Sequence, residues 1–213
     1  MSDIPDFDAA FQRRLEDLFV WRRDVRSFRR EPLESGALDR LIGIACLAPS
    51  VGLSEPWRFV VVDDAERRRA IRDSFFRSNE AALAAQPADL APLYAALKLA
   101  GLDDAPCQLA IFAERETLQG HGLGRATMPE TLDYSAVMAV HTLWLAARAA
   151  GIGVGWVSIL EPGIVQAALD VPETWRLVAY LCIGYPARDE DAPLLERAGW
   201  EQRRLTAGKV LRR

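Results

Sequence analysis

Residues 130 to 150 of this 213-residue chain read as one long helix, and from Ala136 to Ala147 it is apolar nearly all the way round. A helix with one apolar stripe lies on a surface, whereas one that is apolar on every side has to be covered on several. The chain must therefore build further layers around this segment. Gly151 is the expected terminator, since glycine adopts the left-handed backbone that closes a helix. Val154 to Leu160 and Trp175 to Ile183 follow as strands, the second apolar on both faces as central strands are, with a short helix over Pro162 to Leu169 between them. A second copy of the chain and a purely internal position satisfy the helix periodicity equally. The expectation carried forward is a homodimer with this helix near its interface.

Upstream, Phe7, Phe11, Leu15, Leu18 and Phe19 recur at helical spacing and predict a helix from Asp6 to Trp21. Leu38, Leu41, Ile42 and Ala45 predict another, stopped by Pro49. The loop Ser50 to Trp57 contains Gly52, where the backbone has room to approach a ligand. Arg58 to Val62 reads as a strand, Asp63 and Asp64 as the cap of a helix reaching Ala85, and Gln86 to Pro92 as a loop or movable lid. Leu93 to Leu99 reads as a short helix carrying Lys98, and Cys107 to Ala113 as a strand. Helices outnumber strands and alternate with them. That order predicts a single domain over 1–213, a three-layer α/β (α+β) sandwich with a mixed sheet of about four to five strands covered by helices on both faces. The segment 186–213 mixes prolines and charges and reads as an arm lying on another surface.

A formal charge of -4 and a pI near 5.3 argue against general affinity for nucleic acid or an anionic membrane. Cys46, Cys107 and Cys182 lie in separate apolar runs without Cys-x-x-Cys spacing and read as buried free thiols in a reducing compartment. The acidic start lacks signal-peptide character, and no apolar run reaches the roughly 18 residues of a spanning helix, so the expectation is a cytoplasmic protein. His121 and His141 are the two histidines, with no ligand set at metal spacing; His141, in the apolar helix, reads as a hydrogen-bonded core residue. Gly151, Gly153 and Gly155 follow a helix and precede a strand, the reverse of what a dinucleotide fingerprint requires.

Chemistry concentrates in Trp21-Arg22-Arg23-Asp24-Val25-Arg26-Ser27-Phe28. Three guanidinium groups provide planar forks of donors suited to phosphate, and they need no metal. In an extended backbone Arg22, Asp24 and Arg26 share a side and Arg23 takes the other. Arginines after a helix end also satisfy its last carbonyls and form surface ion pairs. On these eight residues both readings stand.

Together with WRRDVRSF, the stretches APSVGLSEPWRF, LKLAGLDDAPCQLAIF, GLGRATMPETLDYSAV, LWLAARAAGIGVGWVSIL and LVAYLCIGYP resemble the nitroreductase-like flavoproteins, over roughly Arg22 to Trp200. The resemblance implies an FMN site shared across a homodimer with an embracing terminal arm. It points to the branch that consumes its flavin: reduced FMN reacts with O2 and is fragmented to 5,6-dimethylbenzimidazole, the lower ligand of cobalamin, and erythrose 4-phosphate. FMN is then the substrate, O2 the co-substrate, no metal is involved, and a separate flavin reductase supplies reduced FMN. Carried over by position, Asp24 and Ser158 match the catalytic pair. Arg22, Arg23 and Arg26 match the holders of the phosphate and ribityl chain, and Val25 lies at a flavin-binding position within the strip. Ser50 and Gly52 match the loop against the isoalloxazine ring, Lys98 a flavin contact, and Arg203 a phosphate contact from the tail. Glu55 stands where the pattern has glutamine. The alternatives are an NAD(P)H-dependent FMN nitroreductase or flavin reductase, and a flavin-binding protein without catalysis.

Overall fold

A computed structural model describes residues 5–204, 206 and 208–213. Four strands, β1 (Trp57–Val61), β2 (Cys107–Glu114), β3 (Gly153–Val157) and β4 (Trp175–Gly184), form one sheet in the order β1-β2-β4-β3. The inner pair, β2 and β4, are the runs apolar on both faces, as burial from two sides demands. Leu109, Ile111, Leu181 and Ile183 face one layer; Ala110, Phe112, Tyr180 and Cys182 face the other. Every pairing between these strands is antiparallel. The parallel part of the expected mixed sheet is a single bridge, Asp24 to Val154, at the free edge of β3.

Among the described residues seven α-helices surround the sheet: α1 (Ala9–Trp21), α2 (Ala37–Ala45), α3 (Ala65–Ala84), α4 (Ala91–Ala95), α5 (Thr131–Ala149), α6 (Pro162–Leu169) and α7 (Leu194–Arg197). The carboxylates of Asp8 and Asp64 accept the Phe11 and Arg67 amides at 2.7 and 2.8 Å and so start α1 and α3. Gly151, at φ 72°, closes α5. Helices α2 and α5 cover one face of the sheet and α3 and α6 the other, which is the expected three-layer arrangement. No helix among the described residues is long and apolar enough to cross a membrane.

Several expectations need correction. Helix α5 is not enclosed all round: Ala136, Ala139, Val140, Leu143 and Ala147 are fully buried, while Tyr134, Val137, Met138 and His141 are exposed. The buried residues recur at the helical period and face the sheet, and the exposed ones project from the opposite side. His141 is thus a surface residue of an apolar stripe, not a core histidine. Cys46 is exposed, one position past the buried Ala45 on the last turn of α2. Helix α4 starts and ends early, with Pro92 in its first turn and its last residue at Ala95, and Lys98 follows it outside any helix or strand. Helix α7, only four residues long, escaped the periodicity.

Inside the α3 and α6 layer, the Tyr180 hydroxyl donates to Gln108 Oε1 at 2.6 Å and Gln108 Nε2 donates to the Leu102 carbonyl at 2.9 Å. Gln108→Leu would leave a buried hydroxyl and a carbonyl without partners. A urea melt is expected to show a loss of about 1–3 kcal/mol; an unchanged midpoint would mean that water replaces the amide.

Candidate active site

The Arg strip leaves α1 as extended chain, with Arg22 at its C-cap, and lies along β3. The Val25 amide donates to the Val154 carbonyl at 3.0 Å. Such close docking needs a strand without side chains at the contact. A Cβ at Gly153 would sit 2.9 Å from Val25 Cγ2, and one at Gly155 would collide with the Val25 carbonyl oxygen. The alternating glycines that make no dinucleotide site thus form the bed on which the strip rests.

That docking aims Asp24. Its Oδ1 accepts the Trp156 amide at 2.9 Å and its Oδ2 accepts Arg26 Nε at 2.8 Å. The carboxylate is fixed on both oxygens and 31% exposed, so it is rigid and still reachable.

The three strip arginines are employed differently. The Arg22 guanidinium makes no hydrogen bond to any described residue; it lies over the Trp144 ring, 4.8 Å from the centroid. Burial, and then the nearby Arg203, push its pKa down, and the charge of Asp24 offsets them only in part. Arg23 donates to the Val20, Arg22 and Asp191 carbonyls, the first at the end of α1. For Arg23 the helix-capping reading holds, and its buried Nε has no partner among the described residues. Arg26 adds to Asp24 a bond to the Lys98 carbonyl at 3.1 Å.

A cleft of about 170 Å³ joins Arg22, Arg23, Asp24 and Arg26 to Pro193, Leu194, Leu195 and Arg203 of the arm. Arg203, distant in sequence, comes to the same cleft as Arg22, with Glu196 3.5 Å from its Nε. The arm is held there by its own chain. Arg148 pairs with Asp189 at 2.8 Å, the Ala187 amide donates to the Ser27 carbonyl at 3.0 Å, and Trp200 packs edge-on against Tyr94 with centroids 5.9 Å apart.

The other expected residues are placed as follows. Ser158 is exposed just past the end of β3, two residues beyond Trp156, so about 7 Å along the strand from the amide that holds Asp24. Lys98 contributes its carbonyl to Arg26, while its ammonium pairs with Asp104 at 2.7 Å and, with Arg30, holds that carboxyl below its usual range. Ser50 and Gly52 are not brought to the cleft. Ser50 Oγ accepts the Glu55 amide at 3.1 Å, and the next residue, Val51, donates to Ser135 Oγ at 3.0 Å. Ser135 and Trp144 are nine residues apart on α5, about 14 Å along its axis. Glu55 is occupied by Gln119, whose amide donates to Oε2 at 3.1 Å.

Trp144 is the site residue that sequence reasoning missed. Its indole N–H donates to the Arg23 carbonyl at 3.0 Å while its ring carries Arg22. The available signal was the one tryptophan of this helix, an apolar ring with a polar N–H.

The chain matches the Nitroreductase family over residues 19–185. It is 60% identical over 204 residues, 96% of this chain and 97% of the relative, to 5,6-dimethylbenzimidazole synthase of Rhodospirillum rubrum. To a protein of the same name from Rhodobacter capsulatus it is 47% identical over 197 residues, 92% of this chain and 95% of the relative. Among solved structures, oxidised iodotyrosine deiodinase bound to FMN and 3-iodo-L-tyrosine superposes with a TM-score of 0.69 at 26% identity, over 83% of this chain and 91% of that one.

Proposed function

The chain belongs to the nitroreductase family, and from that premise we propose that it fragments reduced FMN in an O2-dependent reaction to 5,6-dimethylbenzimidazole and erythrose 4-phosphate. The observation that carries this reading is Asp24, a carboxylate held on both oxygens at a cleft lined by arginines. A flavin that is merely reduced and reoxidised needs cations for its phosphate but no acid fixed beside them. The relatives that match nearly the whole chain carry the name of the enzyme making this product.

The residues suit the nucleotide. The Arg22 guanidinium has no acceptor among the described residues, Arg23 has an orphaned buried Nε, and Arg203, paired with Glu196 at 3.5 Å, faces the same cleft, so a phosphate would find guanidinium donors there. Bound reduced FMN supplies the electrons and the ring atoms of the product. Asp24 moves protons at the ribityl hydroxyls, which lie between the phosphate and the ring. Ser158 is too weak an acid to work alone, and serves as a hydrogen-bond partner or proton relay at the ring.

Completion of the site calls for a second copy. The loop with Ser50 and Gly52 lies far along α5 from the cleft, and the face it shares with Ile44, Leu47, Leu53, Tyr134, Val137 and Met138 is apolar and exposed. In our reading two such faces pair, so that each cleft receives the loop of its partner, and the exposed arm residues 208–213 reach across. Reduced FMN comes from a separate flavin reductase.

Mixing the pure protein with reduced FMN in air tests the proposal. Loss of flavin absorbance with appearance of 5,6-dimethylbenzimidazole is expected. Full recovery of oxidised FMN would overturn it, and rapid NAD(P)H consumption with a nitroaromatic acceptor would replace it by an ordinary nitroreductase activity.

A further inference from the structure

We propose that Arg26 is the positioning residue of Asp24 and takes no part in the grip on the phosphate, an inference that rests on the reading of Asp24 as the acid–base residue. The guanidinium is anchored on two edges. Nε donates to Asp24 Oδ2 at 2.8 Å and Nη1 to the Lys98 carbonyl at 3.1 Å. A planar group held at two points that lie in different directions cannot turn to a ligand without giving up one of them. Only 14% of the side chain is exposed. Arg22 offers the contrast, its guanidinium having no acceptor among the described residues and an indole beneath it.

The anchor is itself anchored. The Lys98 ammonium holds Asp104 at 2.7 Å, and Arg30 approaches the same carboxylate at 3.4 Å. Gly101, in the same loop, lies so close under the Phe28 ring that a Cβ has no room. Residues 98–104 therefore form a buttress whose carbonyl sets Arg26, which sets one oxygen of Asp24 while the Trp156 amide sets the other. Rotation of a carboxylate by one rotamer would remove its lone pairs from a substrate hydroxyl, and this buttress blocks that rotation.

The experiment measures oxidised FMN affinity by quenching of flavin fluorescence, and product formation in a single turnover with reduced FMN in air. Arg26→Gln is expected to leave the affinity within about 3-fold of the parent and to slow product formation about 50-fold or more, since proton transfer by a placed group is worth that much. Arg22→Gln is expected to do the reverse, weakening FMN about 10-fold or more. Arg26→Lys, which can reach Asp24 but not the Lys98 carbonyl as well, should fall between parent and Arg26→Gln in rate; it also serves if Arg26→Gln does not fold. In the double variant Asp24→Asn/Arg26→Gln, the rate should match that of Asp24→Asn alone, because one acts through the other. Equal loss of FMN affinity in Arg26→Gln and Arg22→Gln would make Arg26 part of the phosphate grip. Rate losses that multiply in the double variant would mean that Arg26 acts independently. Should Asp24→Asn itself turn over at the parent rate, the reading of Asp24 fails, and the two affinity measurements still decide whether Arg26 binds the phosphate.

Discussion

Asp24→Asn is expected to bind oxidised FMN as the parent does and to lose product formation by about two to four powers of ten. The substitution keeps the shape of the side chain. The amide oxygen can still accept the Trp156 amide, which donates to Asp24 at 2.9 Å, so the strip stays docked on β3. The group facing Arg26 changes from acceptor to donor and can no longer take a proton. Phosphate recognition through Arg22 and Arg203 does not involve that group, so affinity and chemistry should separate cleanly. Fluorescence titration with FMN and a stopped assay for 5,6-dimethylbenzimidazole provide the two readings. A variant that makes product at the parent rate removes Asp24 from the mechanism; one that no longer binds FMN makes it part of the binding surface instead.

Gly155→Val should be the most damaging single change at this edge of the sheet. Any Cβ at residue 155 collides with the Val25 carbonyl oxygen, a backbone atom with no rotamer to escape into. Either the strip lifts off β3, breaking the Val25 to Val154 hydrogen bond and misplacing Asp24, or the strand buckles. Overpacking of this kind costs about 3 kcal/mol, and FMN binding should fall below detection because Arg22 moves with the strip. Gly163→Ala is the control: nothing lies within 4 Å of its would-be Cβ on α6, and a gain of up to about 1 kcal/mol is expected. Thermal melts of both, with FMN titrations, check the pair. A Gly155→Val protein that melts and binds like the parent would show that the strip does not rest on β3.

Much of the architecture was legible because apolar periodicity records burial directly. The runs at 58–62, 107–113, 154–160 and 175–183 became β1 to β4, and the long apolar helix became α5, with ends shifted by a few residues. What was not legible came from pairings between distant segments. Nothing in the spacing of Arg23 and Trp144, 121 residues apart, announces that an indole N–H meets that carbonyl. The glycines of 151–155 were visible as a pattern, but the purpose of Gly153 and Gly155 depends on a segment more than a hundred residues earlier. Composition also misled at α5, where Val137, Met138 and His141 sit among core residues in sequence and outside the core in space. The strip itself was read with two meanings, and the geometry gives each to a different arginine: Arg23 caps a helix end, while Arg22 is left with a bare charge.

The manner in which Arg23 is held has a kinetic consequence. Its direct partners are carbonyl dipoles, and among the described residues no carboxylate lies within ion-pair distance of it. Dipoles orient a cation without cancelling it, and Asp191 acts on it only from beyond ion-pair distance, so positive charge remains at the cleft that Arg23 lines. Even if Arg23 never touches the nucleotide, it raises the encounter rate of a phosphorylated molecule with a protein that is acidic overall, and added electrolyte would slow capture while leaving the bound geometry alone.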